Sequence, residues 1–270
     1  KDLTFGPGCS IKSTGVVKTI ATENRVYAAS LVCEMTEYSS VENVVNYGTV
    51  TGHNAGVAGK GNYVGGVISN ITNNTKLEWT GSIKNCKNYG NVTFSETPAV
   101  WTCVGGIIGE TSRGTISNCV NYGTIEFNGA HNGGNSINLA GICAGAKTAT
   151  FTNCKNLGKL VSNATQGSKG GTNMGGIVGH NNTYPITITG CTNGSNDDKS
   201  LGELLFDGAT TGEARMGGAV GYIQETSTNI TGFNNYGKIT LTGGKAAGAS
   251  IGGIVGKITT FNSENTISTS

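Results

Sequence analysis

Two short motifs recur through this chain in strict alternation, and any fold it adopts must place their copies equivalently. The first reads Val44-Val45-Asn46-Tyr47-Gly48, Cys86-Lys87-Asn88-Tyr89-Gly90, Cys119-Val120-Asn121-Tyr122-Gly123, Cys154-Lys155-Asn156-Leu157-Gly158 and Phe233-Asn234-Asn235-Tyr236-Gly237. A degenerate copy stands at Cys191-Thr192-Asn193-Gly194. Its Asn positions lie 42, 33, 35, 37 and 42 residues apart. The second motif falls between these copies, as in Val64-Gly65-Gly66-Val67-Ile68, Val104-Gly105-Gly106-Ile107-Ile108, Leu139-Ala140-Gly141-Ile142, Met174-Gly175-Gly176-Ile177, Met216-Gly217-Gly218-Ala219 and Ile251-Gly252-Gly253-Ile254. Its first small residue recurs at spacings of 40, 35, 35, 42 and 35. Ala29, 36 residues before Gly65, marks a worn copy and brings the count to about seven units.

Each unit holds short runs of Val, Ile, Thr, Tyr and Phe separated by Gly and Asn, the signature of strands and turns. Glycine (45) and asparagine (30) make up about 28% of the 270 residues, and no unit carries a ten-residue helical pattern, which excludes βαβ folds. A unit this short buries no core alone, so neighbours must stack. The expected fold is all-β: a parallel β-solenoid, most simply a right-handed β-helix, of about six to seven coils. Residues 1–270 read as a single domain. Within it, 1–36 form an N-terminal edge or capping coil, 37–256 the repeats, and 257–270 the C-terminal edge.

The slots of the repeat then acquire roles. Asn46, Asn88, Asn121, Asn156, Asn193 and Asn235 form an expected inward ladder that satisfies turn backbone groups. Cys86, Cys119, Cys154 and Cys191 share their slot with Val44 and Phe233, which marks an apolar core position occupied by free thiols. Cβ atoms about 4.8 Å apart along a stack are too distant for disulfides. Cys9 and Cys33 lie where the register is poor, so a bridge between them stays open. The tyrosine slot (Tyr47, Tyr89, Tyr122, Tyr236) accepts Leu157 and reads as core. Outward, it would be a stripe suited to sugar rings. The small slot of Ala29 and Ala140 calls for size rather than positive φ. The glycine of Asn-Tyr-Gly suits a left-handed turn.

Eighteen basic against 16 acidic residues give +2, no field that draws the chain to nucleic acid. No apolar run is long enough to span a membrane. No phosphate-binding loop or zinc-ligand spacing occurs, and no cofactor is expected. Asp197 and Asp198, with Asp207, are a weak calcium candidate without the alternation of known calcium loops. A polysaccharide-active enzyme would need some of Glu110, Glu126, Asp197, Asp198, Asp207 and His180 to converge. The three histidines, His53, His131 and His180, read as surface residues without chemistry. Trp79 and Trp101, outside both motifs, together with His53 and His131, are the candidate ligand contacts. Insertions such as Gly52–Gly56, Ser95–Pro98 and Gly129–Gly134 suggest loops on one face. Ice binding would need a flat array of outward threonines, and only Ile186-Thr187-Ile188-Thr189 shows that pattern in sequence.

At Asn-Cys-x-Asn-Tyr-Gly and Gly-Gly-Ile-Val-Gly, over roughly residues 28–256, the chain resembles the GLUG-type repeat regions of large bacterial surface proteins. These are frequent in gut Bacteroidetes and in some Gram-positive surface proteins. The resemblance implies an extracellular or cell-surface, adhesin-like solenoid within a larger protein, with a host glycan or surface protein as partner. It carries over no catalytic residue, and the degenerate copy at Gly194-Ser195 implies local distortion. The expected function is non-enzymatic adhesion. A polysaccharide-active enzyme, a carbohydrate-binding module and a structural stalk are the alternatives.

Overall fold

A computed structural model describes residues 2–15, 25–36, 39–54, 61–72, 81–95, 100–130, 134–166, 170–208, 212–242, 248–259 and 265–268. The described chain is a parallel β-solenoid of five sheets, each of seven strands. The third coil shows the plan. Lys87–Asn88 lies in sheet A, Val92–Ser95 in B, Thr102–Gly105 in C, Ile108–Thr111 in D and Gly114–Ser117 in E. Each strand pairs in parallel with its copies in the coils before and after. The N-terminal strands Leu3–Phe5, Ser10–Gly15, Arg25–Ala29 and Val32–Met35 pair like any others, and Ala29 faces Gly65 as the repeat phase requires. No helix among the described residues is long and apolar enough to cross a membrane.

The interior is two dry columns rather than one. Sheets B and C enclose Val92, Phe94, Val104, Leu139 and their copies. Sheets D and E enclose Ile108, Ile116, Phe151 and the cysteine column. Sheet C turns back into sheet D at Gly-Gly, and the tip of that turn reaches the asparagine ladder. A Cβ on Gly106 would lie 2.1 Å from the Gly141 carbonyl and 2.5 Å from Asn121 Cγ. No positive φ occurs there; close approach is what demands glycine.

The ladder is continuous. Asn46 Nδ2 donates to Asn88 Oδ1 at 2.8 Å, Asn88 to Asn121 at 2.9 Å, Asn121 to Asn156 at 2.9 Å, Asn156 to Asn193 at 2.8 Å and Asn193 to Asn235 at 2.8 Å. Each of the first five amides also donates to a turn carbonyl, as Asn121 does to Gly123 O at 2.9 Å. In the degenerate copy the chain leaves the coil at Gly194 and rejoins at Gly202, whose carbonyl takes the Asn193 bond at 2.9 Å. All eight cysteines are free thiols, Cys9 and Cys33 included. Cys86, Cys119, Cys154 and Cys191 are fully buried in one stack. Contact with Cys154, and then burial, push the Cys191 thiol up.

Four expectations are corrected. The tyrosine column points outward: Tyr47 is 42% exposed, Tyr89 36%, Tyr122 40% and Tyr236 38%. The glycine after each tyrosine has no positive φ; it is small because a Cβ on Gly90 would lie 1.8 Å from the Gly48 carbonyl. The left-handed position precedes the cysteine slot instead, at Asn43, Asn85, Asn118 and Asn153 (φ 52–57°) and at Gly190 and Gly232. Asparagine tolerates that region better than most residues. The third correction concerns part of the supposed loops: Gly52, His53, Asn54, Ser95, Gly129 and Ala130 extend strands of sheet B, while residues 55–56, 96–98 and 131–133 of those insertions lie outside the described residues. The fourth is that the threonine pattern does recur. Register stacks Thr115, Thr150, Thr187, Asn229 and Thr266 in one outward column of sheet E, and Ser117, Thr152, Thr189, Thr231 and Ser268 in the next.

Replacing Asn121 by Ala removes three ladder bonds and strands buried partners, so it should cost about 2–4 kcal/mol. Asn235→Ala, at the last rung, should cost about 1 kcal/mol. Urea unfolding midpoints of the two variants test this difference. Asn118→Ala should cost about 1–2 kcal/mol because alanine resists the left-handed region. Asn118→Gly should be neutral in the same assay.

Candidate functional site

Sheets C and D press together through a polar seam between the two dry columns. Trp101 opens it just ahead of Thr102–Gly105. Its indole Nε1 donates to Glu110 Oε2 at 2.8 Å, and Lys147 Nζ lies 3.4 Å from Glu110 Oε1. Glu110 is 8% exposed. The Cys103 thiol donates towards the same carboxylate at 3.7 Å, and the Asn138 amide donates to Cys103 Sγ at 3.6 Å. Burial, and then the Glu110 charge, push the Cys103 thiol well up. It therefore stays protonated and acts as a donor rather than a nucleophile.

Strand register places Glu110, Gly145, His180, Tyr222 and Lys257 in one column of sheet D. Gly145 matters because it is empty: a Cβ there would meet Cys103 Sγ at 3.0 Å and Glu110 Cγ at 3.2 Å. Across that gap Trp101 reaches His180, with ring centroids 5.0 Å apart. His180 stacks on Tyr222 at 4.9 Å, and the Arg215 guanidinium covers Tyr222 at 4.4 Å. Arg215 also donates to Asn173 at 3.0 Å and pairs with Glu213 at 3.0 Å, which in turn takes Ser250 and Lys257.

His180 is buried rather than on the surface, at 2% exposure, which corrects its expected placement. Neither ring nitrogen reaches hydrogen-bonding geometry. Burial first, and then the Arg215 charge, pull its pKa down to about 3, with nearby Gln224 opposing.

The seam opens into a groove along the corner between sheets D and E. Its first cleft, ≈ 160 Å³, is lined by Tyr63, Trp101, Glu110, Lys147 and Asn182. The next, ≈ 210 Å³, shares Lys147 and adds Arg113 and Tyr184. The third, ≈ 380 Å³, shares Arg113 and Thr148 and runs over Thr115, Thr150 and Thr187. Shared walls make these one depression spanning three coils.

Of the candidate contacts, the structure brings Trp101 to this groove. His53 lies on another sheet, its Nδ1 3.2 Å from Ser95 Oγ. Trp79 and His131 fall outside the described residues. Of the six candidate acid-base residues, Glu110 and His180 meet around Trp101. Glu126 accepts from Asn163 at 3.0 Å on sheet B. Asp198 accepts from Ser200 at 2.9 Å in the excursion after Asn193, and Asp207 accepts from Thr242 at 2.7 Å. No group of three His, Cys, Asp or Glu among the described residues could hold a metal ion.

Sequence reasoning missed Lys147, Arg113 and Tyr184. They share slots when counted back from the sheet E strands, where Gly114, Ala149 and Ile186 align: Ser112, Lys147 and Tyr184 fall in one slot, and Arg113, Thr148 and Pro185 in the next. Counted forward from the Gly-Gly turn, Tyr184 is two residues out of phase. A slot whose occupant changes from coil to coil attracts no notice in a search for sameness. No protein-family model, curated protein or solved structure matches the chain.

The depressed His180 pKa gives the site a signature. The ordinary value is about 6.5. Above it the ring is neutral in both folded and unfolded chains and contributes nothing to pH dependence. As pH falls below it, the unfolded chain takes a proton that the folded chain refuses until about pH 3. Stability from this group should therefore fall by roughly 3 kcal/mol between pH 7 and pH 4. Urea midpoints across this range should show the loss in the native chain, and a flatter profile in His180→Phe.

Proposed function

We propose that the chain is a non-enzymatic, adhesin-like surface solenoid that binds glycan in the groove between sheets D and E. The observation that carries this reading is the groove itself. Among the described residues, aromatic rings (Tyr63, Trp101, Tyr184), cations and hydroxyl groups line its three adjoining clefts. Aromatic faces beside a few fixed polar groups are the usual make-up of a ligand site.

The tyrosine column, outward as it is, fits recognition less well. Tyr47 and Tyr89 stack with centroids 4.7 Å apart, and Tyr89 and Tyr122 at 4.4 Å with planes 3° from parallel. Their faces are spent on one another, so sugar rings meet mainly edges and hydroxyls.

An enzymatic reading draws little support. Glu110 is held by Trp101 and Lys147, and Glu34, in the same column, lies two rungs away, about 9.6 Å along the axis. A stalk would share the framework but has no use for the groove. The threonine columns are bordered by a concave wall at Arg113, Thr148 and Pro185, whereas an ice crystal presents a flat face. Placement at the cell surface, as part of a larger protein, rests on the GLUG-type resemblance of the two motifs.

A glycan array probed with the whole chain tests the reading. Binding is expected. Tyr184→Ala, half-exposed in the groove wall, should weaken it about tenfold, the loss of about 1.4 kcal/mol. Tyr89→Ala, on another sheet, should leave it unchanged. No binding to any glycan, or turnover of a polysaccharide by the isolated chain, would overturn the proposal.

A further inference from the structure

The floor of the groove narrows its ligand, and the inference drawn from it rests on the glycan-binding reading. We infer that the ligand is a neutral, extended glycan of β-linked sugars, laid along the solenoid axis over the threonine columns of sheet E. From the third coil to the last, neither column holds a charged side chain, a stretch of about 19 Å. The charged residues that line the clefts are Arg113, Lys147 and Glu110, and each is already engaged. Lys147 Nζ lies 3.4 Å from Glu110 Oε1, Glu110 also takes the Trp101 indole, and Arg113 has an interaction of its own. An anionic sugar would bring a charge that this site leaves unpaired, and desolvating such a charge is costly.

What the floor offers is hydroxyls. In the third, fourth and fifth coils Thr115, Ser117, Thr150, Thr152, Thr187 and Thr189 point outward. Among the described residues, none of these six hydroxyls bonds to another protein group. Sheet B differs, since there Thr93 Oγ1 donates to Thr51 Oγ1 at 3.1 Å. A hydroxyl carries one donor and two acceptor lone pairs, so each can give a bond to a sugar hydroxyl and take one. Rungs stand about 4.8 Å apart along the axis, and the two columns about 6.6 Å apart across it. The long direction of this grid is the axis. A wall of Arg113, Thr148 and Pro185 closes one side, and Tyr184, 50% exposed, stands in the adjoining cleft, where the apolar face of a sugar ring packs. A straight β-1,4-linked chain keeps pace with the rungs and carries hydroxyls along its edges. A coiled or flexible α-linked chain leaves them after one or two.

Affinity electrophoresis of the whole chain in native gels containing glucomannan, arabinoxylan, dextran or hyaluronan tests this. The first two are neutral and β-1,4-linked, dextran is neutral and α-linked, and hyaluronan is β-linked and acidic. Retardation by glucomannan or arabinoxylan, and not by dextran or hyaluronan, is expected. Titration calorimetry with the retarding polymer should give the same affinity at about 0.01 M and about 1 M salt, across which the screening length falls from about 30 Å to about 3 Å. Thr150→Val combined with Thr187→Val removes two hydroxyls and keeps residues that suit a strand. Binding should weaken about tenfold. Thr93→Val on sheet B should leave it unchanged. Stronger retardation by hyaluronan, loss of binding at high salt, equal retardation by dextran, or full binding by the double variant would each overturn the inference and leave glycan binding standing. Retardation by none of the four would overturn it as well, and a blank glycan array beside that result would overturn the glycan-binding reading too.

Discussion

The contact between the asparagine ladder and the Gly-Gly turn governs the rest of the fold. A primary amide carries a donor and an acceptor on one rigid plane, so it can bond to the rung ahead, the rung behind and a turn carbonyl together. Asn121 makes these bonds with Asn156, Asn88 and Gly123. The second glycine of the turn presses against that plane so closely that even a methyl group would collide. The two motifs keep phase because they touch. Chain length is free to vary where this contact is not involved, as in the excursion between Gly194 and Gly202. It closes because Gly202 returns a carbonyl to Asn193.

Much of the architecture was legible because it repeats. Strand content, coil number, the ladder and the buried thiols all follow from slots filled alike in every unit. What escaped notice depends on direction and on difference. A slot holding Tyr, Tyr, Tyr, Leu and Tyr is equally consistent with a core and with a ridge, since stacked rings shelter one another on either side of a sheet. The left-handed asparagine was hidden by its own regularity: Asn43, Asn85, Asn118 and Asn153 look like part of a polar turn, although φ near 55° is their purpose. The threonine columns were invisible in single units. A row such as Thr115-Ile116-Ser117 gains meaning when register sets it beside Thr150-Phe151-Thr152. His180 was misplaced because a lone histidine carries no sign of what will cover it.

The division of the interior into two columns has its own consequence. Sheets C and D each give one face to a dry core and must give the other to each other. Apolar side chains on both faces would have merged the cores. Instead the chain places Glu110, Asn138, Asn173, Arg215 and Glu213 there, each bonded to a neighbour. Such networks cost desolvation and hold when nearly every member is satisfied. His180 is the exception, a buried ring without a hydrogen-bond partner, kept in place by Tyr222 stacked on one side and Trp101 tilted against the other.

Recognition on a solenoid must come from the positions that break the repeat. A uniform column spends its chemistry on itself: amides bond to amides, thiols donate to turn carbonyls, and tyrosine faces close on tyrosine faces. Specificity needs unlike groups at neighbouring rungs. In sheet D the column passes from Glu34 through Asn70, Glu110, Gly145, His180 and Tyr222 to Lys257, no two adjacent members alike. The slots after it run Ser112, Lys147, Tyr184 and Arg113, Thr148, Pro185. These are the slots that line the groove, and the missing side chain of Gly145 makes the room in which Trp101 bridges two coils. The framework supplies position to within a rung, and the irregular columns supply the chemistry that a ligand can read.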